Sequence, residues 1–567
     1  MSRPAVQSHE GYSQLNLLPG LTTSLPVSFD DDHGEVFTRR WIVEFILDLV
    51  GFSDDRDLAT LRIVEPACGA GAFLVPIVER LSKSLRRHGL ELADALESLR
   101  AYDLLPRNIN ASRLVLRRLL VDDGWPSEDV EAVLDKWLRI GDYLLLPLEG
   151  RSADFVVGNP PYIRIEEVPE QRMQAYRRAC ASMVGRADIY VGFYEVALRS
   201  LRQDGKLGFI CADRWMRNQY GRVLRELISK QYSVDAVVTM HDVDAFEEQV
   251  SAYPAVTVLS RRKQGPVEVV DTKAGFGVAE GTLVLTHNSQ SHPAHLATAT
   301  FTAARLPHWF SGDQSWPNGS PERLALIEYL TDNFPPLQDS ATGTRVGIGV
   351  ATGADGAFLT KDLGSAEQDR LLPLSMVKDI KGGHLEWSGT YLANPWGHDG
   401  RLVPLGDYPK LAEHFERYRK ELSGRYVAGK APDKWYKTID KVDPTLTARS
   451  KLLIPDMRLT IHPVLDEGTT YPHHNLYYVV SDSWDMRVLG GLLLSRVAQA
   501  FIEAYAVKMR GGTLRFQAQY LRRIRVPRQS EMAAEDAVAL ADAFERRDVE
   551  AATRVTLRIF KLEALEI

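Results

Sequence analysis

The sequence predicts an α/β fold, an open and mostly parallel sheet, followed by a mixed α+β region. Three observations carry this. Apolar runs near 61–65, 154–158 and 205–211 end at acidic, glycine or proline turns. Segments with apolar residues at helical spacing, such as Trp41, Ile42, Phe45, Ile46 and Leu49, lie ahead of or between them. Beyond Arg261-Arg262-Lys263 the loops become rich in Gly, Pro and Ser, which marks a second region.

The net charge is −7, which argues against wholesale nucleic-acid binding, but the charge is uneven. Residues 401–530 hold 22 Lys and Arg against 13 Asp and Glu, whereas residues 1–262 hold 32 against 38. A basic segment in an acidic protein is a candidate phosphate-facing surface. A chain of 567 residues, 45% apolar, has room for two or more cores. The most apolar stretch, Val488 to Ile502, is interrupted by Ser495 and Arg496 and does not read as a membrane helix. Cys68, Cys180 and Cys211 are too scattered for a disulfide frame or a zinc site. Residues 1–33 form a polar arm without the pattern of a signal peptide. A cytoplasmic protein with no membrane partner is the expectation.

Residues 34–50 begin extended and become helical, with Thr38 placed to cap the helix. Residues 61–74, LRIVEPACGAGAFL, read as strand, glycine turn and helix. Gly69 and Gly71 let the backbone bend and a ligand approach closely. Leu74 stands where a dinucleotide fingerprint needs its third glycine. A second strand ends at Asp103, whose carboxylate could hold two ribose hydroxyls or start a helix. Gly141-Asp142-Tyr143 forms a third turn.

The organising stretch is Asp154-Phe155-Val156-Val157-Gly158-Asn159-Pro160-Pro161-Tyr162. Two prolines stiffen the loop after a buried strand. The Asn159 side chain and the Pro160 carbonyl offer two acceptors beside the flat Tyr162 ring, which suits a planar substrate carrying an NH2 group. Further buried strands are read at 205–211, 234–240 and 255–259.

This chain resembles the gamma class of N6-adenine DNA methyltransferases of restriction-modification systems. Asn159-Pro160-Pro161-Tyr162 is similar to their catalytic loop, and Glu65-Pro66-Ala67-Cys68-Gly69-Ala70-Gly71 to their S-adenosylmethionine (SAM) loop. The motif order supports the match over about the first 262 residues. The resemblance implies a SAM-dependent methyltransferase (Rossmann-like) domain at 34–262. It also implies a DNA target-recognition domain of the Taq type at 263–530, and 531–567 is read as a helical cap. The implied cofactor contacts are Thr38, Glu65, Pro66, Ala67, Gly69, Gly71, Asp103, Asp142, Tyr143 and Asn159. Arg39 replaces the proline that the family carries after Thr38. Residues 187–194, leading into a helix through Leu201, resemble the family's segment after the catalytic loop, which helps to close the SAM pocket.

Asn159, Pro160, Pro161 and Tyr162 are implied catalytic residues. Tyr162 and Phe246 would stack on a flipped base, with Tyr253 in reserve and core packing as the plain alternative for the last two. Cys68 reads as a packing residue. In the second region Lys508, Arg510 and Arg515 are candidate DNA contacts. Basic residues interleaved with Trp435, Tyr436 and Phe516 suit phosphate contact and base packing. The expected reaction is site-specific methylation of adenine N6 in double-stranded DNA, without a metal, protecting host DNA from a restriction endonuclease encoded separately. Two alternatives stand beside it: a methyltransferase acting on glutamine amides of proteins through the same loop, and a non-catalytic specificity subunit of a defence complex.

Overall fold

The computed structural model describes residues 36–147, 152–247, 253–291, 295–506 and 513–565. The chain divides into two compact units, Met1–Pro321 and Glu322–Ile567.

The first unit is built on a ten-stranded sheet. In chain order its strands are β1 (Ile63–Glu65), β2 (Leu99–Asp103), β3 (Leu138–Ile140), β4 (Ala153–Gly158), β5 (Leu201–Ala212), β6 (Ser233–Thr239), β7 (Pro254–Ser260), β8 (Val267–Thr272), β9 (Leu296–Ala297) and β10 (Phe301–Leu306). Their order across the sheet is β3-β2-β1-β4-β5-β7-β6-β8-β10-β9. The β3 to β5 half is parallel, and β7 runs antiparallel to both of its neighbours. Parallel strands need crossover helices, and the sequence supplies them. These are α2 (Leu74–His88), α3 (Pro106–Asp122), α4 (Ser127–Trp137), α5 (Glu170–Ala179) and α6 (Ile189–Ser200), preceded by α1 (Arg40–Val50).

The apolar stripe of α1 is core, with Ile42, Phe45, Ile46 and Leu49 all buried. This helix lies directly on β5. A Cβ at Gly208 would meet Val50 Cγ1 at 2.6 Å and Ile46 Cγ2 at 2.9 Å, so only glycine permits the approach.

The expected domain edge at residue 262 falls inside this sheet. β8 pairs with β6 in parallel, and β10 adds antiparallel to β8. The loop-rich composition of the following stretch hides these short strands. Trp309 and Trp316, which follow in this stretch, are buried, and Trp316 packs edge-on against Trp215 at 5.2 Å.

The second unit carries an antiparallel sheet in the order Arg345–Ile348, Leu476–Val480, Lys451–Pro455, Val464–Asp466. A smaller sheet joins Leu359–Thr360, Tyr391–Ala393, Leu371–Ser375 and Tyr471–Pro472. The apolar stretch at 488–502 is two helices, Met486–Leu494 and Arg496–Tyr505, bent by 65°. Ser495 makes the break, its hydroxyl accepting from the Ala498 N–H as a helix cap. Helices Ala534–Glu545 and Val549–Ile559 cover the first of these. Among the described residues no single helix is long and apolar enough to cross a membrane.

Candidate active site

A cavity of about 140 Å³ opens at the carboxyl ends of β1, β2 and β4. Glu65 ends β1, Asp103 ends β2, and Asn159 follows β4, so sheet topology alone gathers three residues spread over 95 positions. Thr38, Pro66, Ala67, Gly69, Asp142, Tyr143 and Pro161 also line it.

The glycine turn is held by the second strand. The Gly69 N–H donates to Asp103 Oδ2 at 2.9 Å, and the Cys68 N–H to the Tyr102 carbonyl at 2.9 Å. Gly69 and Gly71 have φ of +50° and +97°, the left-handed region that favours glycine. Gly71 is not among the cavity-lining residues. Its part is the turn itself, against Ser112. The other Asp103 oxygen accepts from the Leu105 N–H and from Asn108 Nδ2. Asp103 is thus a loop organiser as well as a cavity wall.

Glu65 is 2% exposed and its Oε2 has no hydrogen-bond partner. Burial, and then the negative charge of Asp103, hold its carboxyl well above the usual range. Thr38 does not cap α1. The N-cap position is Arg39, without a side-chain cap, because Thr38 is held in a bridge to Phe246. Its hydroxyl is buried and unpartnered beside the cavity. The Arg39 guanidinium secures that bridge, donating from Nε to the Phe246 carbonyl at 3.0 Å and pairing with Asp244.

Asp142 accepts from the Leu144 N–H at 3.2 Å and from the Tyr176 hydroxyl at 2.8 Å. Arg172 lies 3.9 Å from the same carboxylate. Tyr143 stacks on Phe193 with centroids 5.8 Å apart and planes 19° apart. Phe193 and Ile189 of α6 close this wall. Arg172 and Tyr176 escaped the sequence reading. Their spacing of four on α5 puts them on one helix face, the available signal.

In the loop after β4, Asn159 Nδ2 donates to the Val36 carbonyl at 2.9 Å, while Asn159 Oδ1 is buried without a partner. A buried acceptor of this kind costs free energy until something donates to it. Pro160 is buried beside it. Tyr162 meets Phe246 edge to face, 6.3 Å between centroids and 82° between planes, and meets Tyr190 at 6.4 Å. The two rings touch rather than face one another, so a planar ring enters between them only if one turns. Tyr253 packs instead on His241, at 4.9 Å.

The second unit alters part of the nucleic-acid reading. Trp435 and Phe516 are buried, Trp435 beneath Arg419, and the Tyr436 hydroxyl donates to the Val403 carbonyl. Trp435 and Phe516 are core and do not present faces to bases, and Tyr436 is half-buried against the core that holds Trp435. Arg515 is exposed and pairs with Asp456 at 3.3 Å. Lys508 and Arg510 lie outside the described residues.

Residues 128–246 match the family described as Eco57I restriction-modification methylase. The Type II methyltransferase M.PaeR7I of Pseudomonas aeruginosa is 43% identical over 534 residues, covering 93% of this chain and 92% of its own. M.XhoI of Xanthomonas vasicola, also a Type II methyltransferase, is 39% identical over 548 residues, 94% of this chain and 98% of its own. The solved Type IIL restriction-modification enzyme MmeI, in complex with DNA, shares the fold with a TM-score of 0.53 at 11% identity, over 93% of this chain and 74% of that one.

Proposed function

This chain belongs to the Type II methyltransferases of restriction-modification systems, and from that premise we propose transfer of a methyl group from SAM to N6 of an adenine turned out of double-stranded DNA. The observation that carries the proposal is the Asn159 amide. Its nitrogen is tied to the Val36 carbonyl, which leaves its oxygen as an unmet buried acceptor at the mouth of the β4 loop.

The residues around the cavity fit a cationic, hydroxyl-bearing cofactor. Asp103 and Asp142 supply negative charge, and the unpartnered Glu65 Oε2 and Thr38 Oγ1 supply hydrogen-bonding positions. The bound cofactor supplies an electrophilic methyl group. The rest is the work of this chain. An adenine amine is a weak nucleophile because its lone pair is spread into the ring. Asn159 Oδ1 and the Pro160 carbonyl accept its two hydrogens, draw the nitrogen toward tetrahedral geometry and stabilise its growing positive charge. Alignment of nitrogen with methyl supplies further acceleration. Flipping the base costs a few kcal/mol. Stacking on Tyr162, and on Phe246 once its ring turns, returns about 1–3 kcal/mol per contact.

Family membership favours a DNA acceptor over the amide-modifying alternative, and the unmet Asn159 acceptor favours an enzyme over a passive specificity subunit. A separately encoded restriction endonuclease is the expected counterpart. The test is long-read base-modification sequencing of DNA from cells expressing the wild type or Asn159→Ala. N6-methyladenine at one short recurring sequence, lost in the variant, is the expected result. An equal mark in both strains, or no mark in either, overturns the proposal.

A further inference from the structure

Three side chains of the second unit converge on one point. His473 and His474 stand in the turn between Tyr471–Pro472 and Leu476–Val480, and Asp355 opens the short helix Asp355–Phe358. His473 Nε2 lies 3.2 Å from Asp355 Oδ2 and 3.1 Å from His474 Nδ1. All three atoms fall within 4.8 Å of one another.

Hydrogen bonding accounts poorly for this cluster. His473 Nε2 offers either one hydrogen or one lone pair, so it serves the Asp355 carboxylate or a donating His474 Nδ1, and one of the two short contacts is left unmatched. A cation serves all three atoms at once. At zinc–nitrogen and zinc–oxygen lengths of about 2.0–2.1 Å, adjacent ligands of a tetrahedral site sit about 3.3 Å apart, close to the two short separations here.

The backbone holds both histidines in place. The His473 N–H donates to the Ser375 carbonyl and the His474 N–H to the Val350 carbonyl, each at 3.0 Å. The Val350 N–H returns to the Pro472 carbonyl at 2.9 Å. A Cβ at Gly349 would stand 2.2 Å from the His473 carbonyl oxygen, so glycine is required for the crossing. The second Asp355 oxygen accepts from the Thr352 hydroxyl, which orients the carboxylate. Asp355 is exposed, which gives an ion a way in and leaves room for a solvent ligand.

We propose that Asp355, His473 and His474 bind one divalent transition cation of the zinc class, with a remaining position open to solvent. Two imidazoles and one carboxylate suit zinc, whereas calcium and magnesium take oxygen ligands. The proposal does not depend on the methyl-transfer reading.

The full chain, free of any affinity tag and stripped of metal by a chelator, is dialysed against zinc chloride, and bound zinc is measured by mass spectrometry. Asp355→Asn and His474→Gln are run beside it, with circular dichroism to confirm folding. The wild type is expected to hold zinc in a one-to-one ratio. Loss even of a neighbour that orients a ligand weakens metal sites by about 10–100-fold, so each variant should bind at least about ten-fold more weakly. No zinc on the wild type, or wild-type affinity in folded Asp355→Asn, overturns the proposal. Asp355 is exposed, so that variant decides the matter even if His474→Gln fails to fold.

Discussion

The Asn159 side chain donates from Nδ2 to the Val36 carbonyl oxygen, 2.9 Å away and 123 residues earlier in the chain. That single bond fixes the amide so that its oxygen is the end left without a partner. Asn159→Asp keeps the shape and an acceptor but loses the donor, and it sets a carboxylate against a carbonyl. A buried polar group left unpaired costs about 1–3 kcal/mol. Methylation by Asn159→Asp should therefore fall roughly ten- to a hundred-fold, with SAM affinity much less affected. Turnover assays and calorimetric SAM titration separate the two effects, and unchanged turnover would refute the orienting role.

Asp103 joins the glycine turn to the start of α3. Asp103→Ala removes the acceptor for the Gly69 and Leu105 N–H groups. Stability should drop by about 1–3 kcal/mol, and SAM binding should weaken with it. Urea unfolding with and without SAM measures both. A variant equal to wild type in each would show that the loop holds itself.

Glu65 gives a pH prediction. Burial, then the charge of Asp103, raise its pKa in the folded state. For such an acid the stabilising contribution is complete below the unfolded value of about 4.3 and is lost as pH rises toward the raised value. Glu65→Gln carries no such penalty. Without ligand, the variant should match wild type near pH 4 and become the more stable of the two as pH rises to neutrality. Melting temperatures across that range check this, and a gap independent of pH contradicts it.

The Tyr162 ring stands edge-on to Phe246. Tyr162→Ala should lose about 1–3 kcal/mol of base stacking, on the order of ten- to a hundred-fold in catalytic efficiency, whereas Tyr162→Phe retains a stacking face. Fluorescence of a 2-aminopurine at the target position reports base flipping directly. Equal signals from the alanine variant and wild type would remove Tyr162 from that role.

Gly71 has φ +97°, and a Cβ there would meet Ser112 Oγ at 3.3 Å. Gly71→Ala should destabilise the protein by about 1–3 kcal/mol, the usual cost of forcing a side chain into that backbone region. The urea midpoint is the readout.

Local pattern alone was enough for the strand–turn units, because a strand followed by Gly69-Ala70-Gly71 or by Asn159-Pro160-Pro161 is written in consecutive residues. The apolar stripe of α1 and the break at Ser495 were legible for the same reason. Other features are set by contacts between distant segments. Thr38 looked like a helix cap until its bridge to Phe246, 208 residues away, removed it from that position. The continuation of the sheet through β8 and β10 was invisible because short strands in loop-rich sequence gain their stability from pairing, not propensity. Trp435 and Phe516 had the composition of a binding surface, but burial in the core decided otherwise. Asp355 and His473 are 118 residues apart, and only the fold brings them within 3.2 Å. Sequence determines what each residue can do chemically and which neighbours along the chain share its turn. Tertiary structure alone decides which of those groups are desolvated together, and desolvation is what converts a polar side chain into a site.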